Sequence, residues 1–467
     1  MNSRKFLMLN QLCGRARATA WLACLLFAGH AGSALAQGLP SVPGLTRLQQ
    51  PVATAVQSVC VTITGSQYGV VPSYTGTLSQ RLATTCTRMV ASAFNNQTGP
   101  QPFPTFTLNI TNAQLADGVQ AIAPVQSNAQ KSMNTEAAKM NVIGARLLDL
   151  RGGARGMILG YNGMQAPLRG GAASADDVVG GRWGGFVNVA YGWGKVNETT
   201  LQDPYKYGSV NLLAGADYRV GESGVLGGAI SYSDTRSKYE QVLGEVNAKT
   251  TSVVAYGTWY RKDWFVDGFV SYGDIDYDTK RIINIPSNNP TVPAIVSTAT
   301  ASPKGTQLSA ALTLGRSITY GGMVAAPSLR VGYIGVQNKA FSETELVNGI
   351  GLFVNERNIH SLQSAVGVKF STTVNTSGAV LVPYANLQWL HEFANDAPSI
   401  VSKYVSDPSN QFFAIPTPDP TSNYGVVAFG ASATLPNNFA GFLQLSAALG
   451  LKDATNYGVV LGLRKQF

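Results

Sequence analysis

From about Gly181 onward the chain alternates apolar with small or polar residues, in about twelve segments separated by turn residues. The last segment shows the pattern most plainly. Tyr457, Val459, Leu461, Leu463, Lys465 and Phe467 share one face, and Gly458, Val460, Gly462, Arg464 and Gln466 share the other. A period of two is that of a β-strand. An apolar face tipped with aromatics and backed by a small or polar face suits a strand standing between lipid and a wet interior. Arg182–Val196 repeats the arrangement, with Trp183, Val187, Val189, Tyr191 and Trp193 opposite Asn188, Ala190 and Gly192. Trp264–Tyr272 sets Trp264, Val266, Val270 and Tyr272 against Asp267 and Ser271, and Phe439–Gly450 sets Leu443, Leu445 and Leu449 against Gln444 and Ser446. The other candidates are Tyr207–Val220, Val225–Tyr239, Val246–Arg261, Gly305–Thr319, Met323–Ala340, Asn355–Thr373, Ala379–Phe393 and Tyr424–Leu435.

The lengths of the connections agree with a closed antiparallel sheet whose two ends face different compartments. In an outer-membrane barrel the periplasmic turns are short and the external loops longer. Every second connection is short: Gly221-Glu-Ser-Gly, Lys262-Asp263, Tyr320-Gly-Gly, Asn375-Thr-Ser-Gly and Pro436-Asn-Asn. The fifth, seventh and ninth, around Ile285–Lys304, Phe341–Val354 and Ala394–Asn423, are long and rich in Pro, Asn and Ser. The eleventh, Leu451-Lys-Asp-Ala, is short where a long loop is allowed.

Upstream the period changes. Residues 127–150 are rich in helix formers, with apolar positions at Met133, Ala137, Met140, Val142 or Ile143, Leu147 and Leu150, and Gly152-Gly153 follows as a stop. Such a helix would be ~36 Å long, enough to thread a barrel across a ~30 Å hydrocarbon layer. The alternative is an amphipathic helix packed on a periplasmic domain. At the amino end Arg4, Lys5, Arg15 and Arg17 precede an apolar run at Ala20–Ala28 and a small-x-small site, Ala34-Leu35-Ala36, so residues 1–36 read as a removed secretory signal. Cys24 lies in a poor lipoprotein context, beside Trp21.

Composition narrows the class. With 467 residues, 50 Gly, 13% charged residues and a mean hydropathy of +0.05, the chain is too uncharged for an ordinary soluble enzyme and too weakly apolar for a helical membrane protein. Without the signal, Cys60 and Cys86 remain, in a chain bound for an oxidising compartment. A disulfide between them is expected; two separately buried thiols are the alternative. The net charge of +9 is compatible with anionic lipopolysaccharide but is common in barrels.

Several residues resemble those of a known family. Leu381-Val-Pro-Tyr-Ala-Asn-Leu-Gln-Trp-Leu-His-Glu-Phe393 is similar to the Pro-Tyr…Trp-x-His-Glu-Phe strand of autotransporter (type V secretion) β-domains, through Pro383, Tyr384, Trp389, His391, Glu392 and Phe393. The Arg146-Leu-Leu-Asp-Leu-Arg-Gly152 end of the helix, the Arg182-Trp-Gly-Gly-Phe186 opening and the terminal Phe467 also look like that family. The resemblance implies a mainly β protein: a twelve-stranded antiparallel barrel in the outer membrane of a Gram-negative cell, a pore-spanning helix and a passenger carried outside. The expected division is signal 1–36, passenger 37–126, linker 127–180 with its pore helix at 127–150, and barrel 181–467. Pore-helix residues would include Met133, Met140, Arg146, Leu147 and Arg151. The implied partners are outer-membrane lipids, periplasmic chaperones and the barrel-assembly machinery, which would read Tyr457, Leu461, Leu463 and Phe467. Lys465 departs from the usual aromatic. The barrel would be monomeric. Self-cleaving members carry adjacent asparagines in the pore helix; here Asn134 and Asn141 are isolated, so an uncleaved passenger is expected.

The passenger is short for an extended β-helical adhesin or protease and shows no solenoid repeat. Cys60–Thr64 reads as a strand, Thr77–Phe94 and Asn112–Ile122 as helices, and Asn95–Thr105, with Pro100, Pro102 and Pro104, as a loop. Apart from His30 of the signal, the histidines are His360 and His391, both on predicted barrel strands. The passenger therefore cannot supply a Ser-His-Asp triad, and its two cysteines without histidine make no zinc set. Gly65-Ser66-Gln67-Tyr68-Gly69 has its serine one place early for a nucleophile elbow. No cofactor, phosphate loop or nucleic-acid module is expected. Asp267, Lys369, Glu392 and Arg464 fall on lumen-facing phases, as solvated residues or as anchors for the helix through Arg146 or Arg151. Display of the passenger, for adhesion or autoaggregation, is the leading expectation. A pore or structural barrel with a periplasmic amino-terminal domain is the rival, and a hydrolase built around His360 or His391 a distant third.

Overall fold

A computed structural model describes residues 38–65, 76–98, 106–124, 143–144, 147, 160–161, 164–165, 182–240, 243–394, 397–435 and 439–466. The expected signal, and the larger part of the expected pore helix including Met133, Met140, Arg146 and Arg151, lie outside the described residues, as does Phe467.

Among the described residues twelve strands form the barrel wall: β1 (Trp183–Val196), β2 (Tyr205–Val220), β3 (Gly224–Tyr239), β4 (Gly244–Arg261), β5 (Trp264–Ile285), β6 (Lys304–Arg316), β7 (Met323–Asn338), β8 (Arg357–Thr372), β9 (Val380–Glu392), β10 (Asn423–Leu435), β11 (Phe439–Leu449) and β12 (Ala454–Gln466). Each pairs antiparallel with the next. β12 returns to β1 through Gly458↔Gly192 and Leu461↔Val189, which closes the sheet and leaves no edge.

Alternation sets the two faces. Trp183, Val187, Val189, Tyr191 and Trp193 point outward and are exposed, while Phe186, Asn188 and Ala190 point inward and are buried. Leu226, Ile230, Val253, Leu312, Val366 and Leu461 continue the outward apolar band. Trp183, Trp259, Trp264 and Phe439 mark its rim at the short turns; Tyr191, Trp193, Tyr272, Tyr457 and Trp389 mark the opposite rim. Trp193 stands ten positions after Trp183 on one face. At ~3.3 Å per residue and a tilt of ~40° the band is about 25 Å tall, the height of a hydrocarbon layer. Inside, Asn188, Ser209, Asn211, Ser231, Ser233, Thr250, Ser252, Ser271, Gln307 and Ser309 line a polar wall.

Among the described residues three helices make up the part before the lumen: α1 (Gln49–Thr64), α2 (Leu78–Thr98) and α3 (Asn112–Ala121). The strand expected at Cys60–Thr64 is the end of α1. Its β-branched run favours extended backbone locally, but Val52, Val56, Val59 and Cys60 recur at helical spacing and are all buried, and tertiary burial overrides the local preference. Thr62 and Thr64 fit by donating their hydroxyls to the carbonyls of Ser58 and Cys60. Helix α2 reaches Thr98, past the expected end at Phe94. Helix α3 starts at a capping box, in which the Thr111 hydroxyl accepts from Gln114 N and the Gln114 side chain accepts from Thr111 N.

The loops also depart from expectation. Strand β5 continues thirteen residues beyond Tyr272, and the loop after it contains a strand, Ile295–Ala301, paired with Thr279–Ile285. Pieces of two other loops, Phe341–Ser342, Leu352–Val354, Ile400–Tyr404 and Phe413–Ile415, make a small separate sheet. The three helices pack on these elements at the long-loop end of the barrel, forming a cap with a shared apolar core.

Candidate functional site

The lumen and the cap are continuous. At Ile143, Gly144 and Leu147 the backbone is helical. Ile143 and Leu147, one turn apart, are buried among the inward residues Phe186, Leu213, Val225, Val254, Tyr256, Phe442 and Val460. The described part of the expected pore helix therefore lies inside the barrel. Burying two such aliphatic side chains stabilises their placement by roughly 1.5–3 kcal/mol each. The wall makes room by laying aromatic rings flat: a Cβ at Gly227 or Gly462 would overlap the ring of Tyr256 or Phe442 on the neighbouring strand. Above this contact a cavity of about 810 Å³ opens between wall and cap, lined by Arg330, Arg357, His360, Tyr424, Asp419 and Lys452 among others.

Charges on the lumen face are held by the wall. Arg464 on β12 reaches Asp217 on β2 at 3.6 Å, crossing β1 where the sheet closes. Gly184 permits this, since a Cβ there would stand 2.9 Å from Asp217 Oδ1 and 3.1 Å from Arg464 Nη2. Asp267 accepts from the Thr258 hydroxyl at 2.7 Å. Glu392 accepts from the Ser361 hydroxyl, from Leu362 N at 2.9 Å, from Gln363 Nε2 at 2.9 Å and from Ala394 N at 3.0 Å. The Lys369 ammonium stands 3.9 Å from the centre of the Tyr384 ring, and the Tyr384 hydroxyl donates to Gln444 at 3.0 Å. Within the Pro383–Phe393 motif, Tyr384 and Glu392 are buried inside and Trp389 and Phe393 face outward. His391 pairs with Asn423 at 2.9 Å. On β12, Tyr457, Leu461 and Leu463 all face outward.

Sequence reasoning missed the centre of the cap. Arg281, near the end of β5, is buried and ion-paired to Glu343 from the seventh connection. Its Nη1 donates to the carbonyl of Ala121 at the end of α3 at 3.0 Å, and its Nη2 to that of Ile350 at 2.9 Å. Glu343 also accepts from Leu352 N at 3.0 Å. One guanidinium thus joins a barrel strand, an outer loop and a helix encoded 160 residues earlier. Glu345 holds its own loop, accepting from the backbone of Val347, Asn348 and Ile350. The available signal was slight: two glutamates in a loop poor in charge, and one arginine on an inward phase.

Cys60 on α1 and Cys86 on α2 are disulfide-bonded, with Cα atoms 5.4 Å apart, and both are buried in the cap core. The helices meet the first loop as well. Leu48 N donates to Thr200 O at 3.2 Å, and Gln120 Nε2 donates to Asp203 at 2.7 Å. Burial, then the neighbouring Glu198, pushes the Asp203 carboxyl up to about 7, against the opposing hydrogen bond from Gln120.

The chain therefore passes from the cap core at Ala123, through the lumen at Ile143 and Leu147, to the rim of short turns at Trp183. Comparisons with known proteins give this path a context. A model of the autotransporter β-domain family matches residues 185–446. Among solved structures the fold is similar to the translocator domain of the autotransporter NalP from Neisseria meningitidis, at 16% identity and a TM-score of 0.50, over 73% of this chain and 100% of that one. It is also similar to the β-domain of the Bordetella autotransporter BrkA, at 16% identity and a TM-score of 0.44 over 61% and 100% of the two chains. The transport unit of AIDA-I from Escherichia coli follows at 14% and 0.41, over 63% and 93%. No curated protein sequence matches.

Proposed function

The chain belongs to the autotransporter β-domain family, and from that premise we propose that it displays its own amino-terminal helical unit, residues 37–126, as a small uncleaved cap on the outer face of the membrane. It is a type V secretion barrel of the Gram-negative outer membrane. The observation that carries the reading of display is the path of the chain: cap, lumen, then short-turn rim, with the helices seated at the long-loop end. External loops are the longer ones in such barrels.

The activity at the surface is contact, as in adhesion or autoaggregation, rather than chemistry. Both mature-chain histidines sit on the wall, which leaves the cap without a general base of the triad kind. The cap instead exposes Leu346, Val347, Val405 and Phe412 on loops that project from the membrane. Insertion depends on the barrel-assembly machinery, reached with periplasmic chaperones and reading the outward residues Tyr457, Leu461 and Leu463 together with Phe467.

Protease shaving of intact cells tests display. An epitope placed near Thr77, at the start of α2, is lost from whole cells; its survival until the membrane is permeabilised would reject the reading. A separate barrel fragment in outer-membrane preparations would reject the uncleaved passenger.

A further inference from the structure

The cap core belongs to two parts of the chain. Of its thirty-one buried apolar residues among those described, eleven come from the barrel's outer loops and strand extensions, Ile283, Ile285, Ile295, Leu352, Tyr404 and Ile415 among them. Without them the passenger would leave one side of a three-helix unit open, and a unit of that size has little burial to spare. Its backbone depends on the loops too. The carbonyl of Thr107 accepts from Asn289 Nδ2 at 2.9 Å, that of Leu108 from Asn288 N at 2.8 Å, and that of Ala121 from Arg281 at 3.0 Å. A buried carbonyl that loses such a donor is left unsatisfied. Contact is close on both sides. A Cβ at Gly118 of α3 would meet Ile285 at 3.0 Å, and one at Gly349 of the loop would meet Leu82 N of α2 at 2.8 Å.

The closed part of the wall is paired strand to strand without the cap, and the lumen core shares no member with the cap core.

We infer that the outer loops of this barrel are the folding template of its passenger, so that the passenger acquires a complete core only at the long-loop face. On the periplasmic side it stays a pliable segment fit for transport, and docking on the loops, with Arg281 and Glu343 as the polar latch, removes the exported chain from the pore's equilibrium. The inference rests on display at the outer surface, and its test separates the two.

The test uses the full-length chain in cells, with Ile285→Ser and, independently, Gly349→Val. Both changes lie outside the membrane band. Three quantities are read: heat-modifiable electrophoretic mobility of the barrel, surface labelling of the epitope near Thr77, and the rate at which added protease cuts within residues 78–121. The expected result is a barrel that still shifts on heating, an epitope still labelled on intact cells, and cutting at least ~30-fold faster than in the parent. That factor corresponds to the ~2 kcal/mol lower bound for truncating a buried isoleucine. Cutting at the parental rate in both variants would overturn the template, because the passenger would then fold on its own core. Loss of the barrel itself would also overturn it, since the wall is held to stand without the cap. An unlabelled epitope in the parent would instead overturn display.

Discussion

In the barrel wall each strand pairs with its neighbour in sequence, except where β12 meets β1. In the cap, by contrast, partners lie as far apart as Ser58 and Gln411, 353 residues distant. The wall needs one rule, repeated: lipid and lumen at alternate positions. The cap needs several unrelated segments to arrive together, and its specificity rests on a few buried polar contacts among apolar residues. A region built by a local rule should lose stability in small independent steps, whereas one built by convergence should fail as a whole when a hub is removed.

The largest expected effect falls on the cap hub. Glu343→Ala leaves Arg281 buried without its counter-charge, which should destabilise the cap by about 3–5 kcal/mol. Thermal unfolding followed by protease sensitivity should show the cap melting early while the heat-modifiable barrel is unchanged. A barrel that loosens equally would erase the distinction between the two regions. Reducing the Cys60–Cys86 bond, or Cys60→Ser with Cys86→Ser, should cost the cap about 3.5 kcal/mol for a 26-residue separation, read as a lower midpoint in reductant. The counterpart in the wall is Ile230→Arg. It puts a charge in the middle of the outward band and should cost about 2–4 kcal/mol in urea titrations of the bilayer-inserted barrel, with the cap's midpoint unmoved. Thr111→Ala removes the capping box of α3 and should lower cap stability by about 1 kcal/mol, measured by the same protease assay.

A further effect is a slope in pH. The Asp203 carboxyl titrates near 7 in the folded cap, above the ordinary 3.8 of the unfolded chain. The folded state therefore holds the proton more tightly, and cap stability is greatest below pH 3.8, falls as pH rises from there to 7, and is level above. The cap should melt at a higher temperature at pH 5 than at pH 7.5, and Asp203→Asn should flatten the difference.

Much of the wall was legible because its period is enforced at every residue. Trp183, Val187, Asp267 and Leu445 each took the face that alternation assigned. Strand ends were less legible. The continuation of β5 to Ile285 keeps the alternation past Tyr272, the aromatic of the rim, so the strand outruns the band that marks its membrane part. Cys60–Thr64 misled because five β-branched or sulfur-bearing residues in a row say strand, while the burial of Val52, Val56, Val59 and Cys60 that fixes the helix comes from α2 and the outer loops. Arg281 was unreadable for a related reason. Its partners Ala121, Glu343 and Ile350 become neighbours only once the barrel has closed and the loops have turned back over it.

Strand β5 runs without a break from Trp264 at the inner rim to Ile285 beneath α3. Whatever pulls on the exposed cap therefore pulls along the axis of a strand knitted on both sides into the wall. The hydrogen bonds to β4, as far as Arg281, and to β6, as far as Asp276, share such a load in shear instead of parting one at a time, so the force passes into the whole wall.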